Sequence, residues 1–416
     1  MTTLSGFDIA NDLKVEFYLP DADGNLFILG VSNLGSDDVL AGANQFIIGQ
    51  SLIGGTDLLW GGDDIAFTWQ SFECSVNKLD IQIGGSVRDA SYFQPEPAQT
   101  SIRLQNLLID PSTNPSMRPG VPVRVRLERD STDITLYKGY VDTIDVAYTL
   151  LNNNIMTIKA YDSFKSFVNS RLALLDTLDP IEFPDGYATP YEVIEILADQ
   201  FGTAMNARSE ATNGKIPGVT LENFIPNTVL YDAIQAGLGI FWVDPETEEF
   251  VFIPRPSNLD REGAYNIGNQ HDTELHLCMS DIEINSQRDT LYNSLQVSLK
   301  SDSATSVTLN NQDSIELFGV IAVDENVDLT DIEELALWAA TVFNQTTTKL
   351  VKSVETPAID RLGNLTHAAV VLPGETIVVD YQTDSININN AYTVTKVSHN
   401  IDVNNWFTTL ELWKEF

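Results

Sequence analysis

The chain has 416 residues and 46.0 kDa, about two to four times the usual single-domain length, and 43% of its residues are hydrophobic, so it can bury real cores and is not disordered throughout. Its 23 Lys and Arg against 59 Asp and Glu give a net charge of −36 and a pI near 4.1. Such a surface repels phosphate backbones and anionic lipid, which argues against a protein that grips nucleic acid or a membrane surface but allows one that lets DNA pass without sticking.

The acids are unevenly spread. The first 170 residues hold 11 basic and 21 acidic side chains, the remainder 12 and 38. Two cysteines, Cys74 and Cys278, leave room for one long-range disulfide but build neither a disulfide framework nor a cysteine zinc site. The N-terminus has no basic segment followed by an apolar one, so no secretory signal is read and synthesis in a cytoplasm is expected. The longest uncharged run, residues 39–56, contains Asn44, Gln45, Gln50 and four glycines and is too polar to span a bilayer.

In chain order, residues 14–19 and 25–31 flank Pro20-Asp21-Ala22-Asp23-Gly24 like a hairpin, and Gly-rich residues 46–60 follow without a clear element. Residues 71–83, 99–108, 121–127, 135–148 and 154–161 read as strands. In 121–127, Val121, Val123, Val125 and Leu127 share one face while Arg124 and Arg126 share the other. Short strands punctuated by Gly, Pro and Asn predict an antiparallel barrel or sandwich.

The period then changes. Thr189-Pro190-Tyr191-Glu192 combines a capping Thr, a Pro at the first helical position and a Glu placed for a capping box. Val193, Ile194, Leu197, Ala198 and Phe201 then mark one helical face and Gly202 ends it. A second helix is predicted over 228–237. After it, Ile240-Phe241-Trp242-Val243, the turn Asp244-Pro245-Glu246-Thr247-Glu248-Glu249, and Phe250-Val251-Phe252-Ile253-Pro254 read as strand, turn, strand. Residues 171–265 thus form an α+β unit. Strands return at 282–285 and 295–299, a helix capped by Thr330 with Glu333 at its third position follows, and 375–381, 391–401 and 406–413 close the chain as strands.

No catalytic constellation emerges. His271-Asp272-Thr273-Glu274-Leu275-His276 gathers two imidazoles and two carboxylates, but a strand splits them between faces and a helix puts the histidines off-face, so the segment reads as a polar linker. Asp21-Ala22-Asp23-Gly24 begins like a calcium loop and lacks the later ligands, which leaves a turn. With only His367 and His399 besides, general bases are few; Glu246, Glu248 and Glu249 read as a solvated hairpin tip, and Trp406 and Trp413 as packed core. No cofactor, metal ligand set or catalytic residue is expected. The single basic cluster, Arg118, Arg124, Arg126 and Arg129, is the candidate subunit-interface feature, facing acids of a neighbouring subunit; the competing reading is a solvated strand face beside Glu128, Asp130 and Asp133.

The order of these motifs resembles the minor tail or baseplate hub proteins of tailed bacteriophages. The resemblance lies in Ile109-Asp110-Pro111, Arg118-Pro119-Gly120-Val121-Pro122-Val123, Lys138-Gly139-Tyr140-Val141-Asp142 and Ala160-Tyr161-Asp162. It continues in the helix, Gly, strand, Asp-Pro, strand block of 228–255, in Asp313 to Gly319 with the helix after it, and in Leu372-Pro373-Gly374-Glu375 before the last strands, covering about residues 60–416. It implies a mainly β fold with an α+β insertion, that is, two tail-tube-like antiparallel β-barrels plus an α+β domain. The implied boundaries are an N-terminal arm or small β appendage over 1–60, a first barrel over 61–170, an α+β hub domain over 171–277, and a second barrel over 278–416 with helix 330–346 inserted.

The same resemblance implies a non-enzymatic virion protein at the tail tip, a homotrimer whose six barrels match a sixfold tube. Its implied partners are tail tube or distal tail proteins, tail-tip spike or fibre proteins and the tape measure protein. Genome DNA would pass through without specific binding, and no stable membrane binding is implied. Two other classes compete: a cell-wall glycan hydrolase of the tail, which lacks a localised carboxylate pair, and a receptor- or carbohydrate-binding β-module, supported only by β-richness.

Overall fold

The computed structural model describes residues 12–20, 67–71, 75–88, 92–105, 118–129, 132–148, 155–169, 187–209, 214–217, 226–254, 264–269, 276–285, 292–343, 350–360, 364–403 and 405–414. The chain divides into two compact units, one from Asp8–Leu79 and Gln99–Tyr161, the other from Met1–Phe7, Asp80–Ala98 and Asp162–Phe416.

The strands up to residue 161 are β1 (Leu13–Pro20), β2 (Phe67–Ser71), β3 (Ser75–Arg88), β4 (Tyr92–Pro95), β5 (Gln99–Gln105), β6 (Pro122–Arg129), β7 (Thr132–Ala147) and β8 (Ile155–Tyr161). In the smaller unit β5, β8, β7, β6, β1 and β2 follow one another in an antiparallel sheet. Period-two alternation is what makes it a sheet. Leu13, Val15, Phe17 and Leu19 of β1, Val123, Val125 and Leu127 of β6, and Met156, Ile158 and Ala160 of β8 are all buried. Each large aliphatic side chain so buried contributes about 1.5–3 kcal/mol. The predicted hairpin partner of β1, residues 25–31, lies outside the described residues; among the described residues β1 pairs with β2 and β6.

The larger unit opens with an α+β portion: α1 (Ser163–Asn169), β9 (Tyr187–Ala188), α2 (Pro190–Gln200), β10 (Ile216–Pro217), α3 (Pro226–Gly237), β11 (Gly239–Val243) and β12 (Phe250–Pro254). The capping box read from sequence is present: the Thr189 hydroxyl accepts from the Glu192 amide at 3.2 Å, and the Thr189 amide donates to the Glu192 carboxylate at 2.7 Å. The predicted face of α2 is buried at Val193, Ile194, Leu197 and Ala198. Its core is aromatic, with Phe164 and Phe167 of α1 against Phe241 and Phe250 of the β11–β12 hairpin, and Phe167 against Phe201.

The remaining elements are β13 (Tyr265–Gly268), β14 (His276–Cys278), β15 (Asp281–Asn285), β16 (Ser294–Leu299), β17 (Ser306–Asn310), α4 (Gln312–Phe318), β18 (Ala322–Val327), α5 (Ile332–Phe343), β19 (Leu350–Pro357), β20 (Thr376–Gln382), β21 (Asn387–Asp402) and β22 (Trp406–Lys414). One sheet runs β15, β19, β22, β21, β20, β13, β14, antiparallel except at β13, which lies parallel to both neighbours. Trp406 and Trp413 are buried in it.

Between β15 and β19, which pair with each other, the sequence reading places one strand, 295–299, and a helix; the structure places more. β16 sits between antiparallel β17 and parallel β18, and α5 buries Leu335, Trp338, Ala339 and Val342. The helix cap is Asp331 rather than Thr330, its carboxylate accepting from the amides of Glu333 at 2.9 Å and Glu334 at 3.0 Å. These bonds hold the Asp331 carboxyl below its ordinary range. The insertion is tied to α3 by the Trp338 indole donating to the Gln235 carbonyl at 2.8 Å and by an ion pair between Lys300 and Asp232.

The fold is therefore mainly β with an α+β portion. Among the described residues the strand pairings close no barrel: β2, β14 and β15 each have one strand neighbour.

Candidate interaction surface

The arginine face forms because β1 and β6 pair in a register that sets Glu16 opposite Arg124 and Lys14 opposite Arg126. Both strands turn apolar residues inward, so these four side chains share the outer face. Arg124 Nε donates to Glu16 Oε2 at 2.7 Å, and its guanidinium lies 4.3 Å from the Trp69 ring centre, which in turn packs 5.2 Å from Tyr18. Arg126 lies 3.6 Å from Glu16 and 3.0 Å from Glu128 and is hydrogen-bonded to Asp133. The Asp133 bond, then the charges of Asp133, Glu128 and Glu16, raise the Arg126 guanidinium above its ordinary value against the opposing effect of burial. Arg129 reaches Asp12 at 3.5 Å, and Lys14 reaches Glu128 at 2.9 Å.

Three of the four candidate arginines thus meet acids of their own chain. Glu128 and Asp133 are those beside them in sequence; Glu16 and Asp12 arrive through sheet pairing from more than 100 residues away. Arg118 stands apart in the turn before β6, with no acid partner among the described residues. Glu16 is the residue this face depends on and the one sequence reading missed, although its position between Val15 and Phe17 on an alternating strand already puts it on the outer face.

Glu16 is only 9% exposed. Glu16→Gln leaves Arg124 without its carboxylate and reduces the opposing charge around Arg126. The expected cost is about 2 kcal/mol, between that of an exposed and a buried pair. Urea unfolding followed in the smaller unit checks it; a loss below about 0.5 kcal/mol would mean that the face is merely solvated.

The other sequence candidates are not brought together. Residues 271–275, the Asp21–Gly24 turn and Cys74 lie outside the described residues. The hairpin tip is ordered by Asp244, whose carboxylate accepts from the amides of Glu246 at 2.9 Å and Thr247 at 3.2 Å and pairs with Arg208 at 3.1 Å. His367 stacks on Tyr265 and meets Glu375 at 2.7 Å, while His399 is buried elsewhere in the sheet. Among the described residues no group of three His, Cys, Asp or Glu is placed to hold a metal, and no helix is long and apolar enough to cross a membrane.

No protein-family model matches the chain, and no curated protein matches it in sequence. Solved structures do match. The tail protein from Neisseria meningitidis MC58 superposes with a TM-score of 0.55 at 10% identity, over 84% of this chain and 93% of that one. The 43 kDa tail protein of prophage MuSo2 from Shewanella oneidensis gives 0.53 at 11% identity, over 83% and 95%. The chain has the fold of phage tail proteins. Both matches span nearly the whole of the tail protein concerned. At these identities it is a likeness of fold, with no residue roles carried over.

Proposed function

We propose that the chain is a structural component of a phage tail, at the tail tip, where a hub joins the tail tube to the tip complex and surrounds the DNA exit path. The observation that carries this reading is the shared fold over 84% of this chain and 93% of the Neisseria tail protein. The hub assignment within the tail rests on the motif order seen in the sequence. It brings with it a homotrimer, contacts with tail tube or distal tail proteins, spike or fibre proteins and the tape measure protein, and no enzymatic activity. The charge of −36 suits a path along which DNA must move without sticking. Arg118 is the member of the arginine cluster best placed to serve a subunit interface, since the other three meet acids of their own chain.

The test is mass spectrometry of purified virions with antibody labelling of the particles, together with light scattering of the isolated protein. The chain is expected in virions, labelled at the tail tip, with a solution mass about three times 46.0 kDa. A chain absent from virions overturns the tail reading, and label along the tail shaft overturns the hub.

A further inference from the structure

From residue 301 to residue 348 the chain carries nine acids and no Lys, Arg or His. α4 lies inside this stretch. Its place follows from the register of the small sheet: Asn310 at the end of β17 and Ala322 at the start of β18 both stand opposite Ser294, so α4 joins the two edge strands across the N-terminal end of β16.

Asn293 fixes the crossing there. It is 1% exposed, and its side-chain amide donates to the Gly319 carbonyl at 2.7 Å while its side-chain oxygen accepts from the Ile321 amide at 2.7 Å. Its backbone amide donates to the Ile321 carbonyl and its carbonyl accepts from the Asn311 amide, each at 2.9 Å. Asn311 in turn caps α4, accepting from the Ser314 amide at 3.1 Å.

A segment so firmly tied buries none of its own side chains. Leu317 is 76% exposed, Phe318 52% and Val320 67%. Ordering a backbone costs free energy that buried apolar surface normally offsets, and here the apolar side chains remain in water. Asp313 and Glu316 lie on the same helix, and exposed Asp324 lies on β18 four residues beyond Val320. A pre-ordered apolar cluster with a charged rim is the anatomy of a protein-docking surface.

We propose that α4 and Val320 form a docking knob for a partner protein whose surface carries an apolar pocket rimmed by Lys or Arg. A second copy using the same face would set acids against acids, and nucleic acid or anionic lipid would meet the same repulsion. This proposal does not rest on the tail reading.

The probes are three fluorescein-labelled helical peptides of about 18 residues, five turns each, one patterned Lys/Leu, one Glu/Leu and one Lys/Ser. They are titrated into the full chain at low ionic strength and followed by fluorescence anisotropy. The Lys/Leu peptide is expected to bind at least about tenfold more tightly than either control. That advantage is expected to vanish in the triple variant Leu317→Ser, Phe318→Ser, Val320→Ser, and separately in Asp313→Asn, Glu316→Gln, Asp324→Asn. All of these positions except Asp324 belong to α4 or the residue pair after it and none is buried, so melting should not change. Equal binding by the Lys/Ser peptide, no binding by the Lys/Leu peptide, or unchanged binding by both variants overturns the proposal. So does wild-type self-association, seen by light scattering, that the apolar triple variant abolishes.

Discussion

Replacing Gly84 by valine is expected to destabilise the larger unit by more than about 3 kcal/mol, read from denaturant midpoints at unchanged slope. Gly84 sits in β3 at φ 107°, where side-chain-bearing residues are strained. A Cβ there would lie 2.2 Å from the Thr395 carbonyl oxygen, 3.0 Å from Pro373 Cγ and 3.1 Å from Lys396 Cα. Two of these three atoms are backbone of β21, which is held by its own pairings with β20 and β22, so the obstacle cannot rotate aside. Gly120 is the control. Its φ is 92°, but nothing lies within 4 Å of where its Cβ would stand. Gly120→Ala should therefore cost only the backbone strain, about 1–2 kcal/mol. If both substitutions cost the same, strain alone explains Gly84 and the close approach of β21 is wrong.

Legibility in the sequence follows the range of the forces involved. β6 could be read because alternation is a local consequence of one buried face, and α2 because its capping box, Pro190 and Gly202 lie within one short stretch. The start of α5 was missed by one residue because Thr330 and Asp331 can both accept from first-turn amides. The carboxylate holds the place, being favoured by the positive end of the helix.

Features that depend on pairing at a distance were not legible. Nothing near Arg124 announces Glu16, since only the β1–β6 register brings them together. The parallel placement of β13 beside β20 joins segments about 110 residues apart, and a four-residue strand carries too little pattern to show its partner. β16 was read as a strand, but β17 and β18 were not; with one face of the small sheet in water, their alternation is diluted by Ser, Thr and Asn in β17 and by Asp, Glu and Asn in β18. For α4 the difficulty is different: with no buried side chain, it has no apolar stripe facing a core to detect.

Two buried ionisable groups should give opposite pH dependences that largely hide each other in the wild type. Asp162 precedes α1 and is pushed up to about 7, chiefly by burial, despite backbone amides of Ala98, Lys165 and Phe164 that favour the charged form; Glu248 adds a smaller upward push. Its Oδ1 has no hydrogen-bond partner among the described residues, consistent with the high cost of ionising it. His399, buried in the β21–β22 sheet, is pushed down to about 4 by burial. The Trp406 indole donates to His399 Nδ1 at 3.3 Å, and Thr408 Oγ1, which donates to the Ala368 carbonyl at 2.8 Å, lies 3.0 Å from the same ring nitrogen.

As pH falls from about 7 towards 3.8, folded Asp162 binds a proton that the unfolded chain does not, and the fold gains up to about 4 kcal/mol. As pH falls from 6.5 towards about 4, the unfolded chain protonates His399 while the fold refuses the proton, and the fold loses up to about 3 kcal/mol. Asp162→Asn removes the first effect, so its stability relative to wild type should worsen by about 4 kcal/mol between pH 7.5 and pH 4. His399→Gln removes the second, so its relative stability should improve by about 3 kcal/mol between pH 7 and pH 4. Any fixed packing cost of either substitution cancels, because only the change with pH is read. Urea unfolding of the two variants and wild type across this range decides the matter; slopes of the same sign would show that one of the two groups is not buried as described.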